Sequence, residues 1–272
     1  MLDLFLTQGA TGSLAALLLV PARQAGRSFL RYATGQGAAL IIMGILAGAG
    51  ASAAPEGRTA LFGSAAALLM LSAGLIHLDR AGAGRAALLA GIACAVIGVA
   101  RDGLWIARSA PAAVRAPEWL YALDSLTAGL TLGGALAAMV LGHYYLNIPG
   151  LSIRHLQRLC LAFLLAVGVR AVVVGCCLAW HAARLRPMVQ ILLGNEAELT
   201  AAGGADPFIL VFVIIQVLFG IIGAGVTALM AWRTSLLGAT QPTTGILYVS
   251  LLMVIMGELA SRYLLAITRL PL

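Results

Sequence analysis

The sequence predicts an all-α, polytopic membrane protein built as one bundle of about eight transmembrane helices. Hydrophobic residues make up 61% of the 272-residue chain and charged residues only 10%, and the mean hydropathy is +1.00. A soluble domain carries about 25% charged residues. The apolar runs are long and unbroken rather than short and alternating, which is typical of membrane helices and not of a β-barrel.

Each membrane span needs about 20 apolar residues. The apolar runs predict spans at 4–20, 35–54, 59–77, 86–107, 118–142, 156–181, 207–231 and 243–266. The first run has no basic residue before it and no small-residue cleavage site, so we expect a retained helix rather than a signal peptide. The spans form a single transmembrane domain over 1–272, and its one sizeable loop covers 182–206.

The distribution of arginines predicts the orientation of the bundle. The loops after the odd-numbered spans carry a net charge of +7, whereas the arginines and acidic residues on the opposite side give a net charge of zero. Because positive loops stay in the cytoplasm, both termini are predicted to be extracytoplasmic. None of the 17 basic residues is a lysine, which is typical of a GC-rich bacterial genome. We therefore expect a multi-pass protein of the bacterial inner membrane, with the bilayer and not nucleic acid as the partner of its arginines.

Seven ionisable residues lie inside or at the rim of the predicted spans, and the predicted orientation places all of them in the outer half of the membrane. A charge in hydrocarbon costs several kcal/mol, so such residues pair with one another and line a ligand or proton path. Two interpretations are open: ion pairs that hold the bundle together, or a site for a polar head group and its protons. The seven residues are Arg101, Asp102, Asp124, Arg170, His181, Glu258 and Arg262.

Glu258 is the first candidate for proton transfer, because a buried carboxylate balanced by a neighbouring arginine can accept or release a proton. A fixed pair between Glu258 and Arg262, one helical turn apart, is the alternative. Asp124 has an equivalent claim to proton transfer. His181, at the outer rim, is a candidate for relaying protons to the exterior.

Uncharged polar residues within the spans offer further contacts. Gln8, Gln216 and Tyr248 can each hydrogen-bond a quinone carbonyl or, as is commoner, a neighbouring helix.

His77 and His143 share a depth, so a haem b between them is geometrically possible. Interfacial histidines usually meet lipid head groups or water instead, and we do not expect haem. The four cysteines show neither a CxxC motif nor a Cys/His ligand spacing, so no metal site is expected.

The last predicted helix contains Gly257-Glu258 with Arg262 four residues after the glutamate. This motif resembles the final helices of DMSO-reductase-type membrane anchors, relatives of the polysulfide-reductase anchor family, and eight spans with both termini outside also suit those anchors. The resemblance covers one helix and the topology. It implies a subunit that binds menaquinone or ubiquinone near the outer face and exchanges electrons with an extrinsic iron–sulfur partner. Gln8 lies at a depth loosely similar to that of the family's N-terminal quinone-site residues.

The leading hypothesis is therefore the quinone-interacting membrane anchor of a respiratory oxidoreductase, with no redox centre of its own. Its predicted head-group contacts are Arg262, Arg170, Arg101, Asp102, Gln8 and Tyr248, and the loop 182–206 is a candidate docking surface for the partner subunits. A transporter or channel for a small solute or proton is the second hypothesis, although the inner half of the spans holds few polar residues. A non-catalytic structural subunit is the third.

Overall fold

The computed structural model of the chain describes residues 1–20, 27–49, 55–78, 80–112, 115–147, 152–183, 185–186, 189, 208–269 and 271. All regular secondary structure in these ranges is helical. The helices are α1 (Leu2–Leu17), α2 (Arg27–Gly48), α3 (Arg58–His77), α4 (Ala81–Ser109), α5 (Glu118–Asn147), α6 (Arg154–Trp180), α7 (Phe208–Leu236) and α8 (Thr240–Thr268). The predicted all-α class is confirmed.

Seven of these helices, α2 to α8, are long and apolar enough to cross a membrane. The first helix, α1, has 16 residues. At a rise of 1.5 Å per residue it reaches about 24 Å, which is shorter than the roughly 30 Å hydrocarbon core. The chain is thus a multi-pass helical membrane protein, while the eighth span, and with it the side on which the termini lie, stays a prediction.

Helix α5 forms the centre of the bundle. It packs against α1 and α4 on one side and against α6 and α8 on the other. Its membrane-crossing stretch is 72% buried, compared with 28% for α7, which lies at the periphery against α6 and α8. A polar side chain on α5 therefore meets other helices and not lipid.

Glycines allow two helix pairs to touch through their backbones. A Cβ atom on Gly12 of α1 would lie 1.7 Å from the carbonyl oxygen of Gly129 on α5, and one on Gly257 of α8 would lie 2.2 Å from the Cα of Gly220 on α7. No other residue type fits at such a contact, which is the usual role of small residues between membrane helices. These contacts fix α1 and α7 against the α5–α8 core.

Helix α7 contains a π-helical segment, Gln216–Gly223, between α-helical turns on either side. Such segments are rare and frequently lie at functional sites. Gln216, predicted to be polar within the bilayer, is 1% exposed at the start of this segment. Its side-chain amide lies beside Gly220, in the contact between α7 and α8.

Candidate functional site

Four of the predicted intramembrane charges meet in one closed group, which we call the arginine–carboxylate cluster: Asp124, Arg170, Glu258 and Arg262. The four residues come from α5, α6 and α8 and are at most 2% exposed. Two carboxylates face two guanidinium groups, so the cluster is electrically neutral as a whole. This balance is what permits four ionised groups to lie in the low-dielectric interior of a bundle.

Arg170 is the centre of the cluster. Its Nε and Nη2 donate to the two carboxylate oxygens of Glu258 at 3.0 and 3.1 Å, a bidentate pair. Its Nη1 donates to Asp124 Oδ1 at 2.5 Å and to the Asp124 carbonyl oxygen at 3.1 Å. The planar guanidinium thereby joins α5, α6 and α8 through one residue, a geometry that lysine could not provide.

Arg262 completes the cluster from α8. Its Nη2 donates to Asp124 Oδ2 at 2.8 Å and lies 3.9 Å from Glu258 Oε2. Two hydroxyl groups add neutral contacts: Ser261 Oγ accepts from both arginines at 3.2 and 3.0 Å, and Thr131 Oγ1 lies 3.4 Å from Glu258 Oε1. The predicted Glu258–Arg262 contact therefore exists, but Arg170 is the closer partner of Glu258.

Asp102 lies in a different ion group. Its carboxylate accepts from Nε of Arg58 at 3.1 and 2.9 Å, and Nη1 of the same arginine is 2.9 Å from Asp3 Oδ2. This group, which we call the Arg58 triad, links α1, α3 and α4. Arg101 precedes Asp102 in the chain but is exposed and donates to the carbonyl oxygen of Glu56 at 3.4 Å. The structure thus separates Arg101 and Asp102 from the arginine–carboxylate cluster.

His181 and Gln8 are buried but lie outside the cluster. His181 follows Arg170 by eleven residues along α6 and its end, about 16 Å along the helix axis, and is 6% exposed. Gln8 on α1 is 2% exposed and packs with its backbone beside Gly129 of α5.

Tyr248 lies at the other end of α8, beside an open cavity of about 660 Å³ that we call the tyrosine cavity. Its hydroxyl is 3.3 Å from Nδ1 of His143. Tyr248 lies ten residues before Glu258 on α8, so the cavity lies about 15 Å from the cluster along the helix axis. The cavity lies between α2, α5 and α8 and is lined by Tyr32, Gln36, Met139, Val140, His143, Tyr144 and Tyr248.

The tyrosine cavity has the composition of a small-molecule site. Such sites have volumes of roughly 300–1,000 Å³ and combine apolar walls with a few polar groups that fix orientation. Met139 and Val140 supply apolar contact, whereas Gln36, His143 and Tyr248 supply hydrogen-bonding groups. The ring of Tyr144 packs against Phe29 at 5.3 Å between centroids, which holds that side of the wall in place.

The two histidines considered for haem lie in neighbouring cavities. His143 lines the tyrosine cavity, and His77 lines a second, open groove of about 670 Å³ between α2 and α3. Tyr32 contributes to both. Among the described residues no three His, Cys, Asp or Glu side chains are grouped closely enough to hold a metal ion.

Sequence reasoning missed Arg58, Tyr32 and Gln36. Arg58 immediately precedes the predicted span 59–77, whereas in the structure it begins α3 and its side chain is 8% exposed in the Arg58 triad. Tyr32 and Gln36 are four residues apart, a spacing that places them on one face of α2. That spacing was a usable signal, but the predicted span began only at residue 35.

Most of the loop 182–206, including both of its glutamates, lies outside the described residues, so its predicted docking role is not addressed by the structure. The resemblance to the DMSO-reductase-type anchors stays a prediction from the residues of the last helix and the predicted topology. Comparison of the chain with protein-family models, curated proteins and solved structures finds no match.

Proposed function

We propose that this protein is an integral membrane subunit of a respiratory oxidoreductase in the bacterial inner membrane and that it binds the head group of a quinone in the tyrosine cavity. The observation that carries the proposal is the Tyr248–His143 contact of 3.3 Å on the wall of a cavity of about 660 Å³. This location differs from the outer-leaflet site predicted from the sequence, since the residues of the arginine–carboxylate cluster are buried and its two carboxylates are already paired with its two arginines.

The chemistry of a quinone suits this wall. Each ring carbonyl oxygen accepts hydrogen bonds, and the Tyr248 hydroxyl and the Gln36 amide are donors on different helices. Met139 and Val140 give the apolar contact that the ring and its isoprenoid tail need. Tyr248 is 48% exposed and Tyr32 61% exposed, so the cavity opens at the surface of the bundle, where a lipid-soluble ligand enters.

Reduction of a quinone to a quinol consumes two electrons and two protons. In the proposal an extrinsic iron–sulfur subunit supplies the electrons, and the Tyr248–His143 pair passes protons to the carbonyl oxygens, with water restoring the proton on His143. Arg31, adjacent to Tyr32, belongs to the positive side of the predicted orientation, which places the cavity near the cytoplasmic face. An electron donor must lie close to the ring, so the partner docks on that face and not on the loop 182–206.

The arginine–carboxylate cluster has a positioning role in this proposal. It joins α5 and α8, which also carry His143 and Tyr248, and it keeps the two helices in fixed register.

A non-catalytic structural subunit is the second candidate function, because a neutral and closed cluster is also what a purely structural bundle would contain. The two candidates differ in whether the tyrosine cavity binds a ligand.

The deciding experiment measures quinone retained by the protein. The full chain is purified in mild detergent, loaded with menaquinone or ubiquinone, and extracted for quantification by ultraviolet absorbance. Tyr248→Phe removes one hydrogen bond and should weaken binding about fivefold, the equivalent of roughly 1 kcal/mol. Tyr263→Phe is the matched control, since Tyr263 lies on the same helix and is 46% exposed.

Three results would reject the proposal. The first is a wild-type protein that retains no quinone from either loading, which supports the structural subunit. The second is quinone binding that is lost in Glu258→Gln but kept in Tyr248→Phe, which returns the site to the cluster. The third is a Soret band in the purified protein, which would assign His77 or His143 to a haem.

A further inference from the structure

The second groove, between α2 and α3, is independent of the tyrosine cavity's proposed ligand. It is an open cleft of about 670 Å³ lined by Arg31 and Tyr32 from α2 and by Met70, Ala73, Gly74 and His77 from α3. We call it the α2–α3 groove. Of its polar residues, the proposed function gives a ligand contact to neither Arg31 nor His77, and Tyr32 lines both cavities.

Small residues open this groove. A Cβ atom built on Gly74 meets no other atom within 4 Å, in contrast to the glycines at the helix contacts. The space at Gly74 is therefore unfilled, although α2 and α3 are in contact elsewhere along their length. A ligand can lie against the backbone of α3 at this point.

The polar groups are concentrated at one end of the groove. His77 is the last residue of α3, and Arg31 and Tyr32 lie in the second turn of α2. An arginine fork, an imidazole and a phenol hydroxyl are all hydrogen-bond donors, and the guanidinium matches the geometry of a phosphate. Arg31 and His77 are exposed, so this end is accessible from the aqueous boundary.

The other end of the groove is apolar. Met70 lies seven residues before His77, about 10 Å deeper along α3, and is 56% exposed; Leu71 beside it is 53% exposed. Exposed side chains of this kind on a membrane-crossing helix face acyl chains. The groove therefore offers donors at the rim and hydrocarbon contact below them, in the order in which a phospholipid presents its phosphate and its chains.

We propose that the α2–α3 groove binds an anionic phospholipid of the phosphatidylglycerol class, with its phosphate held by Arg31, His77 and Tyr32 and one acyl chain lying along Met70. Basic pockets between transmembrane helices on the cytoplasmic side are suited to anionic head groups. The predicted orientation places Arg31 on that side. The occupant is a lipid and not a free phosphate, because the groove continues into an apolar surface that a free phosphate does not use.

The test uses the full chain, delipidated in detergent and titrated with phosphatidylglycerol, phosphatidylcholine or inorganic phosphate, with binding followed by native mass spectrometry. We expect phosphatidylglycerol to bind at least fivefold more tightly than phosphatidylcholine. Arg31→Gln should weaken it about fivefold, as removal of one cation near a membrane surface does. Arg85→Gln, an exposed arginine on α4, is the matched control and should leave binding unchanged.

A second variant tests the groove itself. Gly74→Leu extends a side chain into the groove from a position at which a Cβ meets no atom within 4 Å, so the protein should fold and lose lipid binding. Gly63→Leu is the control, since Gly63 is on the same helix and its Cβ also meets nothing within 4 Å. Equal binding of both lipids, displacement of the lipid by inorganic phosphate at equal concentration, or unchanged binding in Gly74→Leu would each overturn the proposal.

Discussion

Replacement of Glu258 by glutamine tests whether the arginine–carboxylate cluster holds the bundle together. Arg170 now donates through Nε and Nη2 to two carboxylate oxygens at 3.0 and 3.1 Å. Glutamine keeps one acceptor and turns its NH2 group toward a guanidinium that is also a donor. The substitution also changes the net charge of the cluster from zero to +1 in a place where every residue is at most 2% exposed.

Breaking a buried ion pair by removing one partner costs about 3–5 kcal/mol. At about 2–4 °C per kcal/mol for a chain of comparable size, Tm should fall by roughly 6–20 °C. The measurement is thermal unfolding in detergent, followed by intrinsic fluorescence. Glu118→Gln is the control, because Glu118 pairs with Arg108 at 3.1 Å while their side chains are 43% and 67% exposed. An exposed pair contributes about 0–1 kcal/mol, so this variant should unfold close to the wild type.

A double variant separates lost charge balance from lost packing. Arg262 has one nitrogen in contact with Asp124, and its Nε and Nη1 have no hydrogen-bond partner among the described residues. Adding Arg262→Gln to Glu258→Gln leaves a neutral Asp124–Arg170 pair, and we expect about 1–3 kcal/mol of the loss to be recovered. A Tm for Glu258→Gln equal to that of Glu118→Gln would refute the structural role of the cluster. An additive double variant would refute the argument from charge balance.

Two further predictions concern packing and the second ion group. Gly12→Ala should destabilise the bundle by at least about 1–3 kcal/mol, because the new methyl group would overlap the Gly129 carbonyl. Gly168→Ala is the control and should raise Tm slightly, because a Cβ at Gly168 meets nothing within 4 Å. Equal unfolding temperatures of the two variants would argue against the close contact between α1 and α5. Arg58→Gln should lower the free energy of unfolding by about 3–5 kcal/mol, because it leaves two carboxylates without their cation. Adding Asp102→Asn to this variant should restore part of the loss, as measured by the same thermal unfolding. A single variant with the wild-type Tm would show that the Arg58 triad is not formed.

Hydropathy predicted the helices well because each apolar run had to be about as long as the bilayer is thick. The predicted spans 118–142, 156–181 and 243–266 lie almost wholly within α5, α6 and α8. The second helix was less well predicted. It begins at Arg27 and not at 35, because its first turns are polar and a hydropathy pattern cannot distinguish a helix end in the interface from a loop.

Depth predicted part of the arginine–carboxylate cluster, since Asp124, Arg170, Glu258 and Arg262 were all assigned to one half of the membrane. Depth does not report which way a side chain points around its helix. Asp102 belongs to α4, which contacts α1, α3 and α5, so its carboxylate meets Arg58 instead. The choice between these partners depends on the order of the helices in the bundle, which the periodicity of one helix does not contain.

The tyrosine cavity was hidden for a related reason. Its residues come from α2, α5 and α8, and each is unremarkable within its own helix; only the packing of these helices places Gln36, His143 and Tyr248 around one space. The charges were conspicuous in the sequence, yet the structure shows the carboxylates of Asp124 and Glu258 already paired with arginines. The cluster is neutral and its residues are at most 2% exposed, so a ligand reaches it less easily than it reaches an open cavity with hydrogen-bonding groups on its wall. For this reason the search for ligands belongs at the tyrosine cavity, and the charged residues about 15 Å away are better tested by unfolding than by turnover.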